Sequence, residues 1–414
     1  MTLVFAASIP AGFDRSVAVL GALLVLGALL AGLAKRSFLS LAAVFVLAGF
    51  GLGEGGLGVL SFEPGSGFVG ALAILALILI LFRDGLEVEA EMLQTAWRLP
   101  FRKLVLAMPL TAGLVAAATH LLTDLSWTEA FLVGALLSPT DPVLSSGVVT
   151  NPRVPRIIRH SLNLESGMND GLALPAVLAL SAALSAGESD FVWWQFVLQD
   201  VLLGLVTGAV VGLAASRLMP RAGAGERTVS PHQKSLYGLG VAFATYGIAV
   251  LPPAGNGLIA VFVCAITLGI LRPDIRQCFE ERAEDIIEVV KLGIFVVFGS
   301  LLSAGALLSD GIAAVAIVLF TLLLARPLAI FIALAGTRTD TAIKGFMAWF
   351  GPKGVATITF SLLVLGDAIA ANERIFNIAA LTVLCSILAH GLSDTPGSEW
   401  MARRAQRLEP RPAP

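Results

Sequence analysis

The sequence predicts an all-α integral membrane protein of about 13 transmembrane helices, built as an inverted repeat with two broken crossing helices. Three observations carry this. The 414 residues are 57% hydrophobic and only 14% charged, whereas an ordinary soluble domain is roughly 25% charged; the mean hydropathy is +0.88. The apolar residues recur in blocks of about 17–25, the length that crosses a hydrocarbon core. Two of those blocks are interrupted by proline and glycine.

The blocks lie at 15–34, 37–60, 65–82, 101–122, 127–149, 160–184, 191–216, 235–251, 256–271, 289–308, 311–335, 342–365 and 374–392. With the N-terminus outside and alternation thereafter, all but four of the 27 Lys and Arg fall on the cytoplasmic side. The four exceptions are Arg15 and Arg374 outside, and Arg326 and Lys353 within spans. Lys103 is counted with Arg83, Arg98 and Arg102 in a cytoplasmic loop. Such an excess of basic residues on one side fixes orientation in membranes, and it supports an odd number of spans with the C-terminus inside. The expected domains are a transmembrane unit, 1–392, and a short basic cytoplasmic tail, 393–414.

The fifth block breaks at Ser138-Pro139-Thr140-Asp141-Pro142 and the twelfth at Gly351-Pro352-Lys353-Gly354. Proline inside a helix removes a hydrogen bond and clashes with the preceding turn. Interruptions in corresponding positions of two halves point to a transporter's midplane site. The two broken spans run in opposite directions, which suits two inverted repeats of about six spans each. Among the inside segments, Glu280-Glu281-Arg282-Ala283-Glu284-Asp285-Ile286-Ile287-Glu288 has helical spacing and reads as an amphipathic lead into the tenth span, either as a solvated face or as a cation-sensing mouth. Cys264, Cys278 and Cys385 have neither metal spacing nor a disulfide pattern. The first dozen residues lack a basic n-region, so no cleaved signal peptide is expected, and no soluble regulatory domain is expected after the last span.

A charge at the centre of a membrane helix costs about 2.5–3.5 kcal/mol on insertion scales, so an ionisable residue there marks an ion or proton path by default. Five are read as lying inside spans rather than at their ends: Asp141, Glu165, Asp170, Arg326 and Lys353. Three acids and two bases leave a net charge of −1, which one proton or one monovalent cation would neutralise. That is the arithmetic of one-for-one exchange. In Glu165-Ser166-Gly167-Met168-Asn169-Asp170-Gly171, Ser166 shares a helix face with Asp170 and Glu165 with Asn169. Ser166, Thr140 and carbonyls freed at the break are hard oxygen ligands, fit for sodium or lithium. Asp141 has two compatible readings, ion handling and the capping of freed N–H groups. Glu165 and Arg326 suit a buried structural pair. Lys353 suits compensation of carbonyl dipoles in the broken twelfth span. Asn169 serves either the site or a helix–helix hydrogen bond. His120 and His160 lie near span ends and read as interfacial, and Arg83-Asp84 reads as a surface pair.

At these residues the chain resembles the monovalent cation:proton antiporters, and among them the electroneutral sodium/proton exchanger branch. Ser-Pro-Thr-Asp-Pro at 138–142 is similar to that family's Thr-Asp-Pro motif, and 165–171 to its Asn-Asp helix. Ala325-Arg326-Pro327 resembles the eleventh-span arginine, and Trp349-Phe350-Gly351-Pro352-Lys353-Gly354 the basic Gly-Pro-Arg-Gly crossing. Gly255-Asn256-Gly257-Leu258-Ile259-Ala260 also looks familiar. The resemblance implies a thirteen-span homodimer in which a core domain moves against a dimerisation domain. It implies that Asp170 carries the cation and the proton with help from Asp141, Thr140 and Ser166, so that sodium sits at Asp170, Asp141, Ser166 and Thr140. It implies that Glu165 pairs with Arg326. Asn169, where the electrogenic branch has a second aspartate, agrees with one-for-one exchange. Two positions depart from the pattern: Lys353 replaces an arginine, and Leu81-Phe82-Arg83-Asp84-Gly85-Leu86 replaces the Phe-Glu-Gly-Gly of relatives.

The expected function is therefore secondary active antiport of sodium or lithium against protons in the cell (inner) membrane, for pH and sodium homeostasis. Potassium/proton antiport on the same scaffold is the first alternative; a passive cation channel and a sodium-coupled symporter follow. No Gly-x-x-x-x-Gly-Lys phosphate loop is present to support a primary pump. The expected partners are sodium or lithium, protons, the lipid bilayer and a second copy of the chain. No enzyme activity, cofactor, nucleotide or nucleic acid is expected.

Overall fold

A computed structural model describes residues 41–408 apart from 66, 89–97, 142–147, 149–150, 188–190 and 221–228, and four positions before residue 41. The first predicted span (15–34), Pro142 with the following part of the fifth, Lys35 and Arg36, and the last six residues of the tail lie outside the described residues.

Fourteen helices and no strand are found among the described residues. They are α1 Leu41–Leu52, α2 Gly67–Glu87, α3 Arg98–Leu122, α4 Trp127–Leu137, α5 Arg156–Ala186, α6 Trp193–Leu218 and α7 Pro231–Ala249. They continue with α8 Gly257–Leu271, α9 Pro273–Ser300, α10 Ala304–Leu307, α11 Ile312–Ala333, α12 Thr341–Trp349, α13 Val355–Gly366 and α14 Asn372–Leu408. Every predicted span after the first overlaps a helix among the described residues. Six of the helices are individually long and apolar enough to cross a bilayer.

Local chemistry sets several starts. Ser126 and Ser230 close capping boxes with Glu129 and Gln233 at the heads of α4 and α7, each satisfying orphan amides reciprocally. Asn256 caps α8 through the N–H groups of Leu258 and Ile259. At the foot of α8 the chain turns by 118° into α9. Arg272 fixes that corner by donating to the carbonyls of Ser216, Met219 and Pro220 and to Asp274. The amphipathic lead is therefore one continuous helix with the tenth span, burying Ile275, Phe279, Ala283 and Ile287 on one stripe. Three spans contain a π turn: Lys103–Ala107 in α3, Val197–Leu202 in α6 and Thr321–Ala325 in α11.

The helices pack as two sets. In one, α1 lies on α9, α7 on α9, and α6 and α2 on α8. In the other, α3 lies on α4, α4 on α5, α11 on α3 and α12, and α13 on α14. The sets meet where α2 packs against α5 and α13. Boundaries shift at places that matter. Helix α2 runs to Glu87, past the predicted end at 82, and draws Arg83 and Asp84 into the packed interior. Helix α14 continues unbroken through the predicted start of the tail to Leu408.

Candidate functional site

The two breaks meet and brace each other. Helix α4 stops at Leu137, and residues 350–354 separate α12 from α13. The Asp141 N–H donates to the Pro352 carbonyl at 2.8 Å, and its Oδ2 accepts from the N–H of Val355, at the head of α13, at 3.1 Å. A carboxylate at a helix N-terminus satisfies orphan amides and opposes the positive end of the dipole. In return Lys353, completely buried, donates its Nζ to the carbonyls of Pro139 at 3.1 Å and Ser138 at 3.4 Å. Here the expectation is corrected: Lys353 serves the carbonyls of the fifth span's break, not those of its own span. Its side chain reaches across the crossing because the partner break presents free oxygens there. Gly354 permits the crossing, since a Cβ at that position would fall on the Asp141 carboxylate.

Behind this crossing runs α5. Asn169 Nδ2 donates to the Thr140 carbonyl at 2.8 Å and to its hydroxyl at 3.0 Å, tying the first break to α5. Asp170, next along, is 7% exposed, and among the described residues its Oδ1 has no hydrogen-bond partner; Asn169 Oδ1 is also buried and unpartnered. A buried acceptor with no donor is expensive to keep, and either oxygen has the chemistry to take a proton or a hard cation. Asp141 and Asp170 interact electrostatically. Ser166 Oγ donates to the Asn163 carbonyl at 2.9 Å. Of the four proposed sodium ligands, two hydroxyls thus already have partners, while the Asp170 oxygen does not.

One turn earlier on α5 the charge pattern reverses. Glu165 is 5% exposed. Its Oε1 lies 3.0 Å from Arg326 Nη1 and its Oε2 2.5 Å from Lys103 Nζ. Lys103 also donates to the Ser161 carbonyl at 2.8 Å. Counting Lys103 as a cytoplasmic loop residue is therefore overturned: α3 begins at Arg98 and buries it. The sum over five ionisable groups changes with it, because Lys103 adds a positive charge and the net of −1 is lost. Arg326 packs over Gly351, where a Cβ would collide with the guanidinium.

Arg83-Asp84 is not a surface pair. Asp84 is 4% exposed, and its Oδ1 accepts from Arg83 Nε at 2.8 Å and Nη2 at 2.6 Å. It interacts electrostatically with Asp170 and Asp141. His390 went unremarked in the sequence, yet it is buried against the second break. Its Nε2 meets the Trp349 carbonyl at 2.9 Å, and its Nδ1 lies 3.1 Å from Ser386 Oγ, which accepts from the Lys353 N–H. A continuing apolar pattern through Leu86 was the available signal for Asp84; nothing in the local pattern marks His390. Two of the other three histidines, His120 and His160, make local contacts. His120 Nδ1 meets the Leu125 carbonyl and its ring stacks on Trp127, and His160 accepts from Arg156. Among the described residues no three His, Cys, Asp or Glu are grouped to hold a metal ion.

Against known proteins, the family model described as sodium/hydrogen exchanger, transmembrane, matches residues 22–400. The K(+)/H(+) antiporter NhaP of Alkalimonas amylolytica is 24% identical over 392 residues, covering 94% of this chain and 67% of that protein. The K(+)/H(+) antiporter NhaP2 of Shewanella sp. (strain ANA-3) is 24% identical over 402 residues, covering 95% and 68%. The structure of the sodium proton antiporter MjNhaP1 from Methanocaldococcus jannaschii at pH 8 superposes with a TM-score of 0.77 at 19% identity, covering 96% of this chain and 99% of that one. At that identity the superposition speaks for a shared fold.

Proposed function

The chain belongs to the sodium/hydrogen exchanger transmembrane family, and on that premise we propose that it is a secondary active antiporter exchanging a monovalent cation for protons one for one. The observation that carries this reading is Asp170, a buried carboxylate at the crossing of two broken spans with an oxygen left unpartnered among the described residues. Proton and cation compete for that carboxylate, and competition for a single site couples the two fluxes. Asn169 acts as a donor to Thr140, so it adds no second proton carrier. The earlier charge sum no longer contributes, whereas one-for-one exchange follows from a single contested carboxylate. We assign Asp141 and Lys353 to holding the crossing together, and Glu165 with Arg326 and Lys103 to fixing α5. The chain would act as a homodimer in the inner membrane, N-terminus outside and C-terminus inside.

Sodium is the first cation assigned. Potassium is the second, because the Alkalimonas and Shewanella relatives bear the name K(+)/H(+) antiporter. The test is proton movement in proteoliposomes with a preset pH gradient, challenged in turn with sodium, lithium and potassium. Cation-driven dissipation should be present in wild type and absent in Asp170→Asn; an undiminished response in the variant would remove Asp170 from the mechanism. The rate should climb from acid to alkaline pH and then fall as protons become scarce, a bell across about pH 5.5–9. A flat profile would exclude competition.

A further inference from the structure

Away from the crossing, a slot opens between α12 and the far end of α14. It is a cavity of about 440 Å³, within the usual size of a small-molecule pocket, about 300–1,000 Å³. Phe346, Trp349, Phe350, Pro396, Gly397 and Trp400 form most of its wall. Polar links bridge the two helices at either end of it. Trp349 Nε1 donates to Ser393 Oγ at 2.8 Å, and Arg404 Nη2 lies 3.3 Å from Asp340 Oδ1 at the head of α12. Along α12 the slot runs from Ala342 to Phe350. That is roughly 12 Å at 1.5 Å per residue, close to the depth of one leaflet's hydrocarbon, about 15 Å.

On α14, residues 393, 396, 397 and 400 present one face to the slot. At about 100° per residue, Arg403, Arg404 and Arg407 continue that face beyond Trp400. An apolar slot therefore opens onto three arginines. Two acids answer them: Asp340 at Arg404, and Glu399 at 3.8 Å from Arg403. Arg404 Nε is buried and has no hydrogen-bond partner among the described residues, and Arg407 is exposed. A buried donor without an acceptor is costly, so an anionic oxygen is favoured at this mouth. Trp400 is 47% exposed, and tryptophan prefers the boundary between hydrocarbon and headgroups. The six residues after Leu408, Glu409-Pro410-Arg411-Pro412-Ala413-Pro414, offer no large apolar side chain to fill such a slot.

We propose that this slot binds one anionic phospholipid, with an acyl chain between Phe346, Trp349 and Trp400 and its phosphate at Arg404 and Arg407. The aromatic walls hold the chain by burying it, and the guanidinium groups take phosphate oxygens through charge-assisted hydrogen bonds. A soluble phosphate lacks the chain, and a zwitterionic lipid offsets its phosphate with its own ammonium. Phe350, in the slot wall, opens the break before α13. The lipid thus abuts the frame of the crossing without reaching Asp141 or Asp170. The proposal is independent of the antiport reading and needs only that this end of α12 and α14 lies at a bilayer surface.

The test adds lipid to the full-length protein in detergent, and reads lipid adducts by native mass spectrometry beside the unfolding temperature. Phosphatidylglycerol should leave one adduct that survives detergent removal and should raise the unfolding temperature; phosphatidylcholine and glycerol phosphate should do neither. A Cβ on Gly345, which also lines the slot, meets nothing nearer than the Phe331 ring at 4.0 Å, so Gly345→Leu fills the slot from one wall. It should keep the unfolding temperature seen without lipid and lose the adduct. Arg404→Gln combined with Arg407→Gln should weaken phosphatidylglycerol binding about 30-fold while leaving the protein folded. Should Gly345→Leu not fold, Ala342→Leu fills the same slot at its mouth. Equal retention of phosphatidylcholine, or undiminished phosphatidylglycerol binding in the filled-slot variant, would overturn the proposal. Truncation after Leu408 that admits a lipid excluded by wild type would give the slot to the chain's own tail. A loss of dimer mass in Gly345→Leu would give it to a second copy. Either result would equally overturn it.

Discussion

Glu165 and Asp170 are carboxylates five residues apart on one helix, at 5% and 7% exposure, and their surroundings are opposite. Glu165 lies between two buried cations, each within 3.0 Å. Asp170 has other acids for neighbours and an oxygen without a donor among the described residues. Burial alone therefore does not assign a role to an intramembrane acid. What assigns it is whether the compensating charge is fixed to the chain. A carboxylate held by Lys103 and Arg326 has no place for a mobile ion, whereas one lacking such partners is stable only when something mobile arrives.

The comparison can be broken most forcefully at Glu165. Glu165→Gln leaves Lys103 and Arg326 buried without an anion, and should lower stability by about 3–5 kcal/mol, read as a fall in the unfolding temperature of the purified protein in detergent. An unchanged temperature would mean that the pair holds nothing. Lys103→Met tests whether the second cation is needed, since Arg326 stays in place. The loss should be near that of one charged hydrogen bond, about 1.5–3 kcal/mol, and cation-driven exchange should survive it; a loss of exchange without a loss of stability would move Lys103 into the transport site.

The smallest effect belongs to a compensated acid outside the membrane. Arg272, chiefly through its hydrogen bonds, and Lys234 hold the Asp274 carboxyl well below the usual carboxylate range. A group whose pKa is depressed by folding stabilises above its unfolded value, and that contribution drains away as the pH falls through the folded one. The corner joining α6, α7 and α9 should therefore weaken progressively below about pH 4. Asp274→Asn should flatten that acid limb in a stability–pH series and leave neutral stability little changed, because the group is about a third exposed and screened by solvent.

Much of this arrangement was legible in the sequence, and the reason is physical. Spans announce themselves through length and hydropathy, and the two crossings through proline in apolar surroundings, so the elements could be placed before any coordinates. Glu165 and Arg326 could be matched because each is a charge that an apolar segment must neutralise. Asp84 and Lys103 were misplaced because both stand within a few residues of a span end, where tertiary packing rather than local pattern decides how far a helix is buried. Lys353 was assigned the wrong carbonyls because its partners lie some two hundred residues away on the other break. No periodicity encodes a contact between two interruptions.

The π turns Lys103–Ala107 and Thr321–Ala325 carry a consequence for how this gene can change. Each holds one residue more than a regular helical turn would, and each adjoins a cation that serves Glu165: Lys103 opens the first, and Arg326 directly follows the second. Since an α-helix advances 3.6 residues per turn, deleting one residue from either turn would restore regular geometry and rotate one end of the span against the other by about 100°. One of the two cations would then swing away from its acid. These five-residue stretches should therefore accept substitutions among apolar side chains and reject changes in length, so that single-codon deletions there are lost from a library while equally conservative ones in the outer loops persist.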